Sequence, residues 1–112
     1  MEARKSTEFL GTSLDDLRAF PTEARREAGF QLDRVQAGLL PTDWKPMKSI
    51  GQGVQEIRIQ DAAGQFRIIY VARFAGVVYV LHCFQKKEQK TSIKDLRIAT
   101  DRYSALLKEI RR

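Results

Sequence analysis

Three strand-like runs in the middle of the chain constrain its fold more than any other feature. Ile57 and Ile59 alternate with polar neighbours in the first run, which is the period of a strand with one face in water. The second run carries apolar residues at both parities, as a central strand does, and the third is the most apolar run in the chain. Turn residues that include Gly64 and Gly76 separate the runs, so the pattern predicts a meander of antiparallel strands. The runs are residues 54–60, 65–74 and 77–84.

Helical patterns lie on both sides of this meander. Ser13 is placed to cap a short helix that Pro21 ends, and a second helix is predicted from Pro21 to Gly38. Ser92, or the threonine before it, is placed to cap a last helix with a continuous apolar stripe. Residues 6–10 form a weak candidate strand. We therefore expect an α+β fold, with an antiparallel sheet of three to four strands, two N-terminal helices and a C-terminal helix, and with the helices on one face of the sheet.

Size and charge limit the function classes. With 112 residues, 43% of them hydrophobic, the chain is predicted to form one domain that spans residues 1–112. Twenty Lys and Arg against fourteen Asp and Glu give a net charge of +6, which favours an anionic partner: nucleic acid, an acidic protein or a membrane surface. Charge by itself does not choose among these.

The residue inventory argues against several chemistries. The single cysteine, Cys83, excludes an intrachain disulfide, and with one histidine the chain cannot assemble a Cys-His zinc site, so we expect no metal and no cofactor. No apolar run approaches the roughly 20 residues of a membrane span, and the first residues lack a signal pattern. We expect a cytoplasmic protein without a membrane partner.

Cationic residues on the predicted sheet suit a phosphodiester. Arg58 and Arg67 lie on neighbouring strands, so the meander can bring their guanidinium groups to one face. Lys86, Lys87 and Lys90 follow the third strand at its rim. Guanidinium groups bind phosphate oxygens through a bidentate fork and stabilise charge that develops there. The alternative interpretation is an ordinary solvated sheet face with lysines that confer solubility.

Two further residues are candidates for proton transfer. His82 lies inside an apolar strand, where a histidine is more often a hydrogen-bonded core residue than a proton shuttle, but its ordinary protonation range suits an acid or a base. Glu56, two residues from Arg58, is a rival base. In the connector before the meander, Lys45 and Lys48 add positive charge beside the only tryptophan.

The segments EIR at 56–58, FRIIY at 66–70 and VYVLHCFQKK at 78–87, preceded by a helical hairpin, resemble the RelE/HigB superfamily of bacterial type II toxins, in particular its phage-derived HigB-like branch. The resemblance implies a RelE-like, compact microbial-ribonuclease-type fold. It also implies an endoribonuclease (mRNA interferase), a hydrolase that cleaves mRNA in the ribosomal A site without a metal and inhibits translation. The implied partner is a cognate helix-turn-helix (HigA-like) antitoxin.

The same resemblance assigns roles by position. Arg67 matches the arginine expected to stabilise the phosphate in the transition state, and Arg58 matches a basic position that binds phosphate or supports a base. Lys86 and Lys87 match basic residues with a backbone-contact or acid role. Further RNA contacts are predicted at Lys45, Lys48, Arg73 and Lys90.

The chain also departs from the RelE pattern. Glu56 stands where a lysine is expected, so the identity of the base stays open between Glu56 and His82. Two other functions stay open as well. One is a catalytically inactive RelE-fold protein that binds or regulates through its antitoxin, and the other is a basic RNA-binding protein without ribosome dependence.

Overall fold

The structure is a computed structural model that describes residues 4–111. In chain order the elements are β1 (Ser6–Phe9), α1 (Ser13–Arg18), α2 (Thr22–Gln36), β2 (Trp44–Pro46), β3 (Val54–Asp61), β4 (Gly64–Val71), β5 (Val77–Lys86) and α3 (Ile93–Ile110). The five strands form one sheet in the order β1-β5-β4-β3-β2, which confirms the predicted α+β class and the antiparallel meander of β3, β4 and β5.

The sheet is larger than the three to four strands expected. β1 pairs with β5 in the parallel direction, so the sheet is mixed rather than purely antiparallel. In the predicted connector, Trp44 pairs with Ile57, and this adds β2 to the outer edge of β3. A three-residue strand is too short to show a period, and its pairing depends on the neighbouring edge rather than on its own sequence.

Helices cover both faces of the sheet, and the expectation of helices on one face was wrong. α1 and α2 pack against Ile68 and Tyr70 on one face, whereas α3 packs against Ile69 and Val71 on the other. Successive side chains of a strand point to opposite faces, and β4 is apolar at both parities. Both faces therefore have apolar surface that must be buried, and one helical layer is not sufficient.

Local signals set the helix ends largely as expected. The Ser92 side chain accepts a hydrogen bond from the Asp95 N–H and caps α3, as predicted. Gly38, with φ of 85°, follows the end of α2. At α1 the cap position is Thr12 rather than Ser13. The Ser13 hydroxyl is buried and donates to the Val80 carbonyl at 3.3 Å.

A β-bulge in β5 determines which side chains reach the α3 face. Ile69 of β4 lies opposite His82, but the next residue, Tyr70, lies opposite Val80. Leu81 is therefore the extra residue, and it is fully buried on the α3 side. Because the alternation is interrupted here, His82 lies on the same face as Leu81 instead of the opposite one.

Candidate active site

Charged residues of three strands meet on the α3 face, at the end of the sheet that leads to the β3–β4 turn. Arg58 of β3 lies directly opposite Arg67 of β4, because a two-residue turn joins the strands at Asp61 and Gly64. On the outer edge, Lys45 of β2 lies opposite Glu56 of β3. The structure thus brings the two predicted arginines together on one face. Lys45, which the sequence predicts only as an RNA contact, lies beside them.

Glu56 is at the centre of this cluster. Its Oε1 atom lies 3.5 Å from Arg67 Nε, 3.9 Å from Arg58 Nε and 4.0 Å from Lys45 Nζ. The Glu56 side chain is only 1% exposed, and the Thr91 hydroxyl lies 3.5 Å from its other oxygen. One carboxylate facing three cations leaves an excess of positive charge, which suits a further anionic group.

Hydrogen bonds hold the Arg67 guanidinium against its own strand. Its guanidinium donates to the Phe66 carbonyl at 3.0 Å and to the Gln65 side chain at 2.8 Å. Burial lowers the pKa of Arg67 and Glu56 opposes this shift, but an arginine stays charged over any physiological range. Among the described residues, neither Arg58 Nε nor Arg67 Nε has a hydrogen-bond acceptor. The cluster therefore presents fixed positive charge together with N–H donors of two arginines that have no hydrogen-bond acceptor among the described residues.

Lysines form a rim next to Arg67. Lys86, half-buried at the end of β5, lies opposite Gln65 on the neighbouring strand. Burial and the nearby Arg67 guanidinium lower the pKa of Lys86. Together with the exposed Lys87 and Lys90, it lines a depression of about 180 Å³ between the end of β5 and the start of α3.

His82 lies on this face but faces α3. Its Nε2 atom lies 2.7 Å from Asp95 Oδ1, and its ring stacks on Phe84 with centroids 5.0 Å apart. The Ser92 hydroxyl donates to the other Asp95 oxygen at 2.7 Å. His82 is 5% exposed, and its Nδ1 has no partner among the described residues. In the sequence, Asp95 stands three residues after Ser92, which is the spacing of a helix cap, but that spacing does not indicate the contact of Asp95 with His82.

Two predicted RNA contacts lie away from the cluster. Arg73 follows the far end of β4, and its guanidinium donates to the Tyr103 hydroxyl at 3.3 and 3.2 Å. Lys48 is exposed in the turn after β2, toward the Val54 end of the sheet. Both residues lie at the opposite end of the strands from Arg67, so the structure does not bring them to the site. Their role in RNA contact stays a prediction.

Within residues 4–111, no group of three or more His, Cys, Asp or Glu side chains is placed to hold a metal ion. Over the same range, α-helices are too short or too polar to cross a membrane.

Comparisons with known proteins agree with this fold. Residues 15–104 match the family described as Phage derived protein Gp49-like (DUF891). No curated protein matches the chain. Among solved structures, the chain is similar to a double mutant of the E. coli toxin RelE in the free state, with a TM-score of 0.59, 16% identity and coverage of 96% of this chain and 98% of that chain. The predicted RelE-like fold and the resemblance to the phage-derived branch are confirmed.

Proposed function

The chain belongs to the phage-derived Gp49-like family, and from this membership we propose that it is the toxin of a type II toxin–antitoxin system. Its proposed activity is metal-free endonucleolytic cleavage of mRNA in the ribosomal A site, which inhibits translation. The proposed site of action is the cytoplasm. The toxin name and the fold of the structural relative support the proposal, and the cluster around Glu56 is the observation that carries it.

The cluster suits attack of a ribose 2′-hydroxyl on the adjacent phosphate. The 2′-oxygen forms a bond to phosphorus while the bond from phosphorus to the 5′-oxygen breaks. The 2′-hydroxyl proton passes to a base, and the leaving 5′-oxygen takes a proton from an acid, so the products carry a 2′,3′-cyclic phosphate and a 5′-hydroxyl. Negative charge builds up on the non-bridging oxygens, and Arg67 with Arg58 is placed to stabilise it.

Lys86 is our candidate for the acid. It borders Arg67 and is more exposed than the buried Glu56 and Arg67, and its pKa is lowered. A lysine with a lowered pKa donates its proton to a leaving oxygen more readily than an ordinary lysine does. Lys87 and Lys90 then bind the phosphates that flank the cleaved bond.

Glu56 and His82 are the two candidates for the base. Oε1 of Glu56 already faces three cations, whereas His82 has one unpartnered nitrogen and a carboxylate, Asp95, on the other. An Asp–His pair stabilises the imidazolium that forms when histidine accepts a proton. Replacing the base is expected to lower the cleavage rate by about 10²–10⁴-fold. Glu56→Gln and His82→Gln, compared in single-turnover cleavage, therefore separate the two.

A second function is favoured by one specific observation. Both candidate bases are almost completely buried, at 1% for Glu56 and 5% for His82. A protein that binds RNA or a helix-turn-helix antitoxin without cleaving needs no accessible base. This alternative is a RelE-fold regulator that acts through its antitoxin.

Replacement of Arg67 tests the proposal. Wild type, Arg67→Ala and Arg25→Ala are induced separately in a bacterial host, and growth and RNA 5′ ends are recorded. Arg25 is a matched control because it is an exposed arginine of α2, on the opposite side of the sheet. We expect wild type and Arg25→Ala to arrest growth and to produce new 5′-hydroxyl ends within translated codons. Arg67→Ala is expected to lose at least about 100-fold of the cleavage rate.

The other outcomes identify the alternatives. Growth arrest by Arg67→Ala equal to that of wild type would show that Arg67 has no catalytic role. Absence of new RNA ends in all three strains, together with antitoxin binding by the purified protein, would favour the regulator. Cleavage of naked RNA at the same rate as mRNA on ribosomes would exclude ribosome dependence.

A further inference from the structure

We propose that Arg102 of α3 is a positioning residue for the candidate active site, because it holds the β5 bulge that places His82 and Lys86 on the Arg67 face. The structural part of this proposal concerns the bulge itself. Its catalytic consequence rests on the proposed ribonuclease function.

The register of β5 shows what the bulge changes. In the structure, Phe84 lies opposite Arg67 and Lys86 opposite Gln65. Without the extra residue, regular pairing from Val80 onward would place Cys83 opposite Arg67. A shift of one residue moves every side chain of a strand to the other face. His82, Phe84 and Lys86 would then point toward α1 and α2, and the cluster would lose its histidine and its half-buried lysine.

Arg102 contacts the bulge directly. Its Nη1 donates to the Leu81 carbonyl at 2.8 Å, and its Nη2 donates to the Thr12 hydroxyl at 3.1 Å. The Thr12 hydroxyl in turn donates to Asp16 at 2.8 Å. One guanidinium thus joins α3, the bulged strand and the start of α1.

The loop before α1 closes over this guanidinium. Gly11 has φ of 56°, and a Cβ atom there would lie 2.5 Å from Arg102 Nε. The backbone conformation at this φ favours glycine, and a Cβ atom here would have to displace the flexible guanidinium of Arg102. The contact depends on two features of distant parts of the sequence, a glycine at position 11 and an arginine at position 102.

The physical reason is the carbonyl that the bulge exposes. An extra residue interrupts the hydrogen-bond ladder, and a buried carbonyl without a donor is costly. Arginine presents donors in a planar fork and can satisfy two acceptors together, whereas lysine is a flexible point charge. We therefore expect Arg102→Lys to retain part of the effect and Arg102→Gln to lose most of it.

The first measurement does not depend on catalysis. In NMR spectra of the full chain, contacts of the His82 ring with Asp95 and Ile69 report that His82 lies on the Arg67 face. We expect these contacts in wild type and in Arg97→Gln, a control at an exposed arginine of the same helix. In Arg102→Gln we expect them to weaken or to be replaced by contacts with Ile68.

The second measurement is cleavage of mRNA on ribosomes. Misplacement of catalytic groups by about 1 Å can lower a rate by about 100-fold, so we expect kcat of Arg102→Gln to fall at least about tenfold. KM should change much less, because the exposed rim lysines remain. Arg102→Lys should recover part of kcat, and Arg97→Gln should match wild type.

Unchanged His82 contacts together with unchanged kcat in Arg102→Gln would overturn the proposal. If the wild type cleaves no RNA, the ribonuclease function fails, but the NMR comparison still decides whether Arg102 holds the bulge. If Arg102→Gln does not fold, Gly11→Ala serves instead, because it displaces the guanidinium from the Leu81 carbonyl and keeps its charge. Retention of both the His82 contacts and kcat in a folded Gly11→Ala protein would likewise contradict the proposal.

Discussion

The buried carboxylate of Glu56 explains how several cations can be held close together on a small sheet. Arg58 and Arg67 are directly opposed, and like charges in this arrangement repel each other. Oε1 of Glu56 lies within 4.0 Å of both arginines and of Lys45, so it offsets this repulsion. Glu56 therefore matters to folding whether or not it also takes a proton during catalysis.

This arrangement predicts that Glu56→Gln is destabilising. Removing one partner of a buried ion pair leaves an uncompensated charge, here mainly that of the 7% exposed Arg67 side chain, and costs about 3–5 kcal/mol. The free energy of unfolding, measured by urea denaturation, should fall by roughly 3 kcal/mol. Glu8→Gln, an exposed glutamate of β1, is the control and should stay within about 0.5 kcal/mol of wild type. Equal stability of the two variants would mean that Glu56 does not neutralise the arginines.

A second prediction concerns the protonation of Lys86. The pKa of Lys86 is lowered by burial and by Arg67, so it should titrate below the ordinary range of a lysine. The folded protein then binds this proton less tightly than the unfolded chain, and the contribution of Lys86 to stability rises with pH between its folded and unfolded pKa values. An NMR titration of the Lys86 side chain checks the direction. In Arg67→Gln the pKa of Lys86 should move up, and no movement would rule out the proposed influence of Arg67.

At the scale of elements, the residues that cap the start of α3 also contact the candidate active site. Ser92 caps the helix through Asp95, and Asp95 also binds His82 of β5. The same carboxylate thus stabilises the helix terminus and orients the imidazole.

Ser92→Ala is accordingly expected to have two effects. Loss of a serine N-cap costs about 1 kcal/mol, which urea denaturation can measure. Loss of the hydroxyl also frees one Asp95 oxygen, so NMR signals of the His82 ring should shift. Ser104→Ala, at an exposed serine of the same helix, should change neither. A fully stable Ser92→Ala protein with unshifted His82 signals would contradict the capping role.

At the scale of the whole molecule, net charge and charge placement make different predictions. The net charge of +6 attracts any nucleic acid, but the structure places Lys87 and Lys90 beside the cluster and Lys48 at the other end of the sheet. General attraction would depend on every lysine equally. A specific site would depend on the rim lysines.

Salt dependence of RNA binding separates these cases. For single-stranded nucleic acid the slope of log K against log salt changes by about 0.7 for each phosphate contact. Lys87→Gln/Lys90→Gln should therefore reduce the slope by about 1.4 in fluorescence anisotropy with a short RNA. Lys48→Gln/Lys108→Gln removes the same charge elsewhere and should change the slope little. Equal reductions would show that binding follows net charge alone, without a specific contribution of the rim lysines.

Much of the site could be predicted because its geometry is local. A tight turn between two alternating strands sets their register, so Arg58 and Arg67 had to meet once that turn formed. The capping spacing of Ser92 and Asp95 also lies within one helical turn. The features that could not be predicted depend on distant contacts. They include the pairing of β1 with β5, the pairing of β2 with β3 and the position of α3 on the second face of the sheet.

The sequence by itself determined the antiparallel meander and the helices that flank it, and it allowed the two arginines to share a face. Strand period and turn residues are sufficient for these, because they act between neighbours in the chain. Only the tertiary structure decided that His82 and Lys86 join the arginines. That depends on the bulge at Leu81, whose carbonyl is satisfied by Arg102 from another element, and strand periodicity carries no information about a donor so far along the chain.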